Sequence, residues 1–208
     1  GHLKAKLDPL GMAEPDENSF QLERFDLSPA DLKQTFKVGS LIGKAQSPLG
    51  EIISFLESVY CNHLTAQLAE CRQEVRDWFR KELEGHPGPL PLTSEDRKEV
   101  FRQLARTESL EKFIHTRYVG TKRFSIEGGD PLIPMLEHLT RKGTELKIEE
   151  IVIGMAHRGR INVLANFMDK ALEIIFSEFD GTAFEKYDFD GDVKYHLGYS
   201  NDKKTPHG

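Results

Sequence analysis

Five residues packed into one turn carry the chemistry most plainly: Gly154, His157, Arg158, Gly159 and Arg160, within Gly-Met-Ala-His-Arg-Gly-Arg. Ile151, Val152 and Ile153 before them are a β-branched run, which predicts a buried strand, and Ile161, Val163, Leu164 and Phe167 after them suit a helix. A strand that ends in a Gly-containing turn and feeds a helix is where open α/β sheets bind ligands, because the helix start offers spare N–H groups and a positive dipole end. Cations are disfavoured at that end, so two arginines there need a reason, and a bound diphosphate or carboxylate supplies one. A solvated turn carrying two surface charges is the other reading, and the turn alone leaves both open.

The elements that must hold this turn are a strand in a sheet and helices to cover it. Thr93-Ser-Glu-Asp96 predicts a helix through about Arg106, and a second helix is expected from about Ser109 to Arg117 with Leu110, Phe113 and Ile114 on its buried side. His115 falls at its edge, with no chemical role. Gly129-Asp130-Pro131 places an N-cap before an N1 proline and opens a helix to Arg141, with His138 on its outer face. That capping role also explains why Gly129-Asp130, with Asn162 downstream, only imitates a magnesium-binding pattern; Ser125 and Glu127 are better placed to line a site. Lys170 to Phe179 is a further amphipathic helix with Leu172, Ile175 and Phe176 inward, Gly181 to Asp190 a surface loop or hairpin, and Gly191 to Ser200 a polar, glycine-punctuated loop.

Ahead of these lies a separate, helical region. Residues 1–27 are rich in breakers, Asp8-Pro9 and Glu14-Pro15 among them, and predict an extended arm that wraps a neighbour. Ser28-Pro29-Ala-Asp31 starts a short helix to about Phe36, and Ser47-Pro48 starts another carrying Leu49, Ile52, Ile53, Leu56 and Val59 to about Tyr60. The pattern stays helical to Leu83, with Leu64, Leu68, Val75, Trp78 and Phe79 on one side, so Trp78 is expected in the core. Gly85-His-Pro-Gly-Pro-Leu-Pro91 is a linker by composition and marks the domain boundary.

Composition narrows the class. At 208 residues, with 30% charged and 38% hydrophobic, the chain has the balance of a globular protein, long enough for one domain and part of another. A net charge of -6 with no dense basic run argues against nucleic-acid binding, and no apolar run reaches membrane-spanning length. The opening Gly1-His-Leu-Lys-Ala is no signal peptide, and the lack of an initiator Met suggests an internal piece of something longer. Cys61 and Cys71, ten positions apart on an expected helix, would be roughly 15 Å from each other, too far for a disulfide, so both are expected as reduced thiols.

Gly154-Met-Ala-His-Arg-Gly-Arg-Ile-Asn-Val-Leu164 resembles a signature of the thiamine diphosphate-dependent 2-oxoglutarate dehydrogenase E1 component. Lys122-Arg-Phe-Ser-Ile-Glu-Gly-Gly-Asp-Pro-Leu-Ile-Pro-Met-Leu136 and Gly191-Asp-Val-Lys-Tyr-His-Leu-Gly-Tyr-Ser200 resemble two further blocks of that family in the same order. Phe36-Lys-Val-Gly-Ser40 looks like its "VGS" segment, whereas Asn62 to Cys71 departs from the family pattern. The resemblance implies an α/β fold: an arm (1–27), a small helical domain with linker (28–91), and the incomplete start of a thiamine diphosphate-binding parallel-sheet domain (92–208).

Function follows from the same resemblance. It implies an E1 enzyme of the tricarboxylic acid cycle that decarboxylates 2-oxoglutarate and passes the succinyl group to a lipoyl-bearing E2 succinyltransferase, with thiamine diphosphate and Mg2+ as cofactors, as a homodimer in the bacterial cytoplasm or the mitochondrial matrix. Arg158 matches the diphosphate-binding arginine, His157 and His196 match two catalytic histidines facing the substrate, and Ser200 matches a hydroxyl at the substrate end. Tyr195-His196 favours 2-oxoglutarate over 2-oxoadipate. The metal ligands and the glutamate that activates the thiazolium are expected beyond Gly208, so none is assigned here and these 208 residues alone are expected to be inactive. A 2-oxoadipate dehydrogenase E1, or a non-catalytic interaction fragment docking through residues 1–84, is the competing reading.

Overall fold

The computed structural model describes residues 1–38, 45–88, 91–182 and 196–205. They form two compact units, Gly1–Pro91 and Leu92–Gly208.

In the first unit the arm does not run extended. The Asp8 carboxylate accepts from the backbone N–H groups of Leu10, Met12 and Ala13 at 2.8, 2.7 and 2.8 Å, which curls the chain and pulls the Asp8 pKa down. The 3-10 helices Asn18–Phe20 and Leu22–Phe25 follow. Ser28 and Asp31 cap a third, Pro29–Lys33, with the Ser28 N–H donating to the Asp31 carboxylate at 2.8 Å. It stops short of the expected Phe36, because Thr35–Lys37 (β1) is drawn into an antiparallel ladder with Gln46–Pro48 (β2), Thr35 opposite Pro48 and Lys37 opposite Gln46. Gly39 and Ser40 of the "VGS" segment lie outside the described residues.

Helix α1 (Leu49–Tyr60) matches its apolar stripe. The expected continuation does not form: residues 61–72 are non-helical, and α2 spans Gln73–Gly85. Its cause is local competition for backbone groups. Thr65 Oγ1 donates to the Tyr60 carbonyl at 2.9 Å, while the Asn62 carbonyl accepts from the Lys6 N–H of the arm at 3.1 Å. Lys4 Nζ, 2.6 Å from Glu57 Oε1, ties the arm to α1 as well. Cys61 and Cys71 are free thiols, and burial pushes the Cys61 thiol pKa up. Trp78, expected in the core, is 57% exposed and packs edge-to-face with Phe79, ring centroids 5.0 Å apart.

The second unit is built on α3, one unbroken helix over Ser94–Arg117 where two were expected. Thr93 and Asp96 cap it reciprocally at 3.1 Å, which also lowers the Asp96 pKa. No Gly or Pro interrupts Arg106 to Ser109, and Thr107, Leu110, Glu111 and Ile114 keep one continuous buried stripe. Phe113, expected inside, is 49% exposed. Helix α4 (Leu132–Glu145) outruns the expected Arg141, and Asp130 does not cap it: its Oδ2 turns back to accept from the Gly128 N–H at 3.0 Å.

Helix α5 begins at Arg160–Asn162, widens into a π-helix over Val163–Phe167, and is followed by α6 (Leu172–Asp180), which closes on Gly181 at φ 80°. Ile161 and Ala165 pack with Leu110, Ile114 and Ile175, while Val163 and Phe167 pack with Ile126 and Ile133. One short helical stretch therefore feeds both apolar clusters. Leu172, expected inward, is 44% exposed.

The expected parallel sheet is absent among the described residues, whose one ladder is β1–β2, and the fold there is mostly helical. Ile151–Ile153 joins no ladder. A parallel strand needs neighbours that pair its backbone and cover both faces, and no other described stretch supplies one. The segment still alternates as a one-sided strand would: Ile153 and Met155 pack against the Ile126 cluster, whereas Val152 is 86% exposed.

Candidate functional site

The turn after residue 156 is set by glycine. Gly159 has φ 77°, a conformation disfavoured for residues with a Cβ, and its N–H donates to the Phe124 carbonyl at 2.8 Å. A Cβ at this position would sit 3.1 to 3.3 Å from side-chain atoms of Ile126. Replacing Gly159 by Ala is expected to cost about 1–2 kcal/mol from the left-handed backbone alone, read as a lowered denaturation midpoint. A midpoint equal to the parent's would show that this turn is not held as described.

The docked partner is the loop Arg123–Glu127. Phe124 is itself left-handed, at φ 45°, and its ring lies 4.0 Å from that of His157, tilted by 35°. The His196 ring is 5.9 Å from His157 and inclined by only 10°. Residues far apart in sequence thus bring two imidazoles together in parallel. Arg158 is exposed and, among the described residues, donates once, from Nη1 to the Ser125 carbonyl at 3.4 Å, which leaves most of its guanidinium fork open there.

The two arginines of the turn have different duties. Arg160 Nη2 donates to the Met155 carbonyl at 2.5 Å and closes the turn from within, so it does not share Arg158's open position. Ser125 Oγ donates to Glu127 Oε2 at 3.0 Å, and Arg123 Nη2 holds the same oxygen at 3.3 Å, so Glu127 is committed to its own loop.

His196 opens the segment to Thr205, which is fastened at several points. Asn201 Nδ2 donates to the Met168 carbonyl at 3.2 Å, and Lys203 Nζ reaches Glu137 Oε1 at 2.7 Å while lying 4.8 Å from the Phe167 ring centroid. Lys170 Nζ lies 5.8 Å from the ring centroid of Tyr199. Ser200 sits exposed on this segment. Tyr195 and the rest of the 183–195 stretch lie outside the described residues. A cavity of about 170 Å³ between α3, α4 and this segment is lined by Gln103, Thr140, Arg141 and Lys203 among others, and by none of His157, Arg158, His196 or Ser200.

Sequence reasoning missed the group beneath the turn. Glu111, 3% exposed on α3, accepts from the Ile126 N–H at 3.2 Å and from Asn162 Nδ2 at 3.0 Å through Oε1, and from Arg123 Nη1 at 2.6 Å through Oε2. Asn162, fully buried, also donates to the Thr107 carbonyl at 3.1 Å, and its Oδ1 accepts from Asn166 at 2.6 Å. An acid on the apolar stripe of α3 was the available signal. Among the described residues no group of three or more His, Cys, Asp or Glu side chains is arranged to hold a metal ion.

Similarity to known proteins runs the whole length of the chain. It is 42% identical over 212 aligned residues to the 2-oxoglutarate dehydrogenase E1 component of Coxiella burnetii, covering 100% of this chain and 22% of that protein. Proteins of the same name from Brucella canis and Brucella suis are each 37% identical over 209 residues, covering 98% of this chain and 21% of theirs. The chain thus spans about a fifth of the length of these homologues. No protein-family model matches it.

Proposed function

We propose that this chain is part of a 2-oxoglutarate dehydrogenase E1 component and that His157, Arg158, His196 and Ser200 form one wall of its substrate and thiamine diphosphate site. The observation that carries the reading is the parallel pair His157–His196, 5.9 Å apart, in direct sequence with the open guanidinium of Arg158.

The donor set suits the anionic end of the cofactor. Arg158 has N–H groups to spare for a diphosphate oxygen, which a planar fork engages with charge-assisted bonds. The metal is a different matter. The described residues offer it no cluster of ligands, so in this proposal the Mg2+ ligands come from the remainder of the complete enzyme. When bound, the thiazolium supplies the electron sink that lets a 2-oxo acid lose CO2.

The chain's own residues bind, orient and move protons. Either imidazole presents a ring N–H to the distal carboxylate of 2-oxoglutarate, and a ring nitrogen takes up or returns a proton. The Phe124 ring against His157 limits the orientations open to that imidazole. Ser200 offers a hydroxyl on the same segment as His196. The partners of the complete enzyme are then a second copy in a homodimer and the lipoyl-bearing E2 succinyltransferase, in the cytoplasm of a bacterium. The described chain has no helix long and apolar enough to cross a membrane.

The roles separate experimentally in the complete enzyme. Arg158→Ala removes a charge-assisted contact of about 1.5–3 kcal/mol, so the thiamine diphosphate requirement should rise about 10- to 100-fold. His196→Ala should leave that requirement nearly unchanged and lower kcat/KM for 2-oxoglutarate. Steady-state kinetics with cofactor and substrate varied in turn would decide; equal cofactor dependence in the two variants refutes the division.

A further inference from the structure

Among the described residues Glu111 hydrogen-bonds to none of His157, Arg158, His196 and Ser200, yet both the Arg123–Glu127 loop and the helix that follows the His157 turn are tied to it. Its Oε1 holds the Ile126 N–H at 3.2 Å and the Asn162 amide at 3.0 Å, and its Oε2 holds Arg123 at 2.6 Å. Arg123 Nη1 also donates to the Glu111 carbonyl at 3.2 Å. Ile126 and Arg123 bracket Phe124, whose ring packs on His157, and Ser125, whose carbonyl takes Arg158. Asn162 lies in the first turn of α5, three residues after Gly159. The loop and the turn are also joined directly, by the Gly159-to-Phe124 bond, the Arg158-to-Ser125 bond and the packing of Phe124 on His157.

A carboxylate with 3% exposure is costly to bury unless its lone pairs are filled, and here three donors from two separate segments fill them. An apolar residue would serve packing at this point on α3 just as well. What a carboxylate adds is direction: it fixes where the loop and the turn sit relative to each other, and hence the spacing between Phe124, His157 and Arg158. We infer that Glu111 is a positioning residue for His157 and Arg158, acting through Ile126 N–H, Arg123 and Asn162. This rests on the site reading given above.

The test uses the complete enzyme with Glu111→Ala, Glu111→Gln and Glu111→Asp. Activity is expressed per cofactor bound, measured by calorimetry, so that loss of folded protein does not count as loss of rate. Alanine should lower kcat per bound cofactor about tenfold, since small misplacements of catalytic groups carry large rate penalties. Glutamine keeps Oε1 as an acceptor for Ile126 and Asn162 but turns an amide N–H toward Arg123, so it should restore part of that rate. Aspartate keeps the charge but is one methylene short, and should fall with alanine; it decides the matter where the alanine variant does not fold.

A second readout is independent of turnover. Carbethoxylation by diethyl pyrocarbonate, followed residue by residue with mass spectrometry, should quicken severalfold at His157 in the alanine and aspartate variants and return toward the parent rate with glutamine. His63 and His86, in the first unit, should keep their parent rates. A general loosening would raise all of these histidines together and overturn the positioning role. So would parent-like kcat and parent-like His157 reactivity in both the alanine and aspartate variants, or a glutamine variant as impaired as alanine. If the parent enzyme fails to decarboxylate 2-oxoglutarate while His157 reactivity still follows the carboxylate, the site reading fails and the positioning role stands.

Discussion

Replacing Lys170 by Met should destabilise the second unit by about 3–5 kcal/mol, the usual consequence of stranding one member of a buried ion pair. Lys170 Nζ lies 2.6 Å from Glu178 Oε1, and the two side chains are only 5% and 7% exposed. The other carboxylate oxygen, Glu178 Oε2, is buried with no hydrogen-bond partner among the described residues, where Lys170 supplies the charge-assisted bond that offsets the desolvation. The pair bridges the end of the π-helical stretch to α6, because the Lys170 N–H also donates to the Leu164 carbonyl at 2.8 Å. Denaturant unfolding of the parent, the single variant and the double variant Lys170→Met with Glu178→Leu gives the comparison. The double variant should recover much of the loss, since an apolar pair carries no stranded charge. A single variant within about 1 kcal/mol of the parent would mean that water reaches Glu178.

No decarboxylation of 2-oxoglutarate is expected from the 208-residue chain by itself, even with excess thiamine diphosphate and magnesium. The chain matches about a fifth of the length of its homologues, and among its described residues neither a metal-ligand cluster nor a parallel sheet is present. Arg158 with one imidazole pair can attract an anion weakly but offers no second anchor for the diphosphate. An assay with an artificial electron acceptor, run beside calorimetric titration of the cofactor, checks this. Turnover above the cofactor-only background would show that the site is assembled from these residues alone, against the proposal made here.

Where residues act on their sequence neighbours, the pattern was legible. The stripe from Leu49 to Val59 gave α1, the Thr93–Asp96 pair marked the start of α3, and Ile175 lies at 2% exposure where α6 was expected to bury it. His157 and His196, distant in sequence, were paired by the family resemblance and not by local pattern; their ring centroids lie 5.9 Å apart. What stayed hidden depended on partners at a distance. The β-branched run Ile151–Ile153 has strand propensity, yet a ladder is a property of two segments, and propensity says nothing of the second. Residues 61–72 carry helical periodicity, but Lys6 and Thr65 compete for the backbone groups at the end of α1. Glu111 resembles any helix carboxylate until Ile126 and Asn162, distant in sequence, are seen to converge on it.

The unladdered segment at Ile151–Ile153 has a consequence for the chain in solution. Three β-branched residues with no strand beside them among the described residues, one of them 86% exposed, are the material from which intermolecular sheets nucleate. Another copy of the same tract is the most available partner when molecules crowd together, and each added strand buries the Val152 methyls while occupying backbone donors and acceptors. The flanking acids Glu149 and Glu150 act as gatekeepers, because stacking copies brings like charges into register. Salt screens that repulsion over roughly 8–10 Å at near-physiological strength. Association is therefore expected to rise with protein concentration and ionic strength with the free energy of folding unchanged.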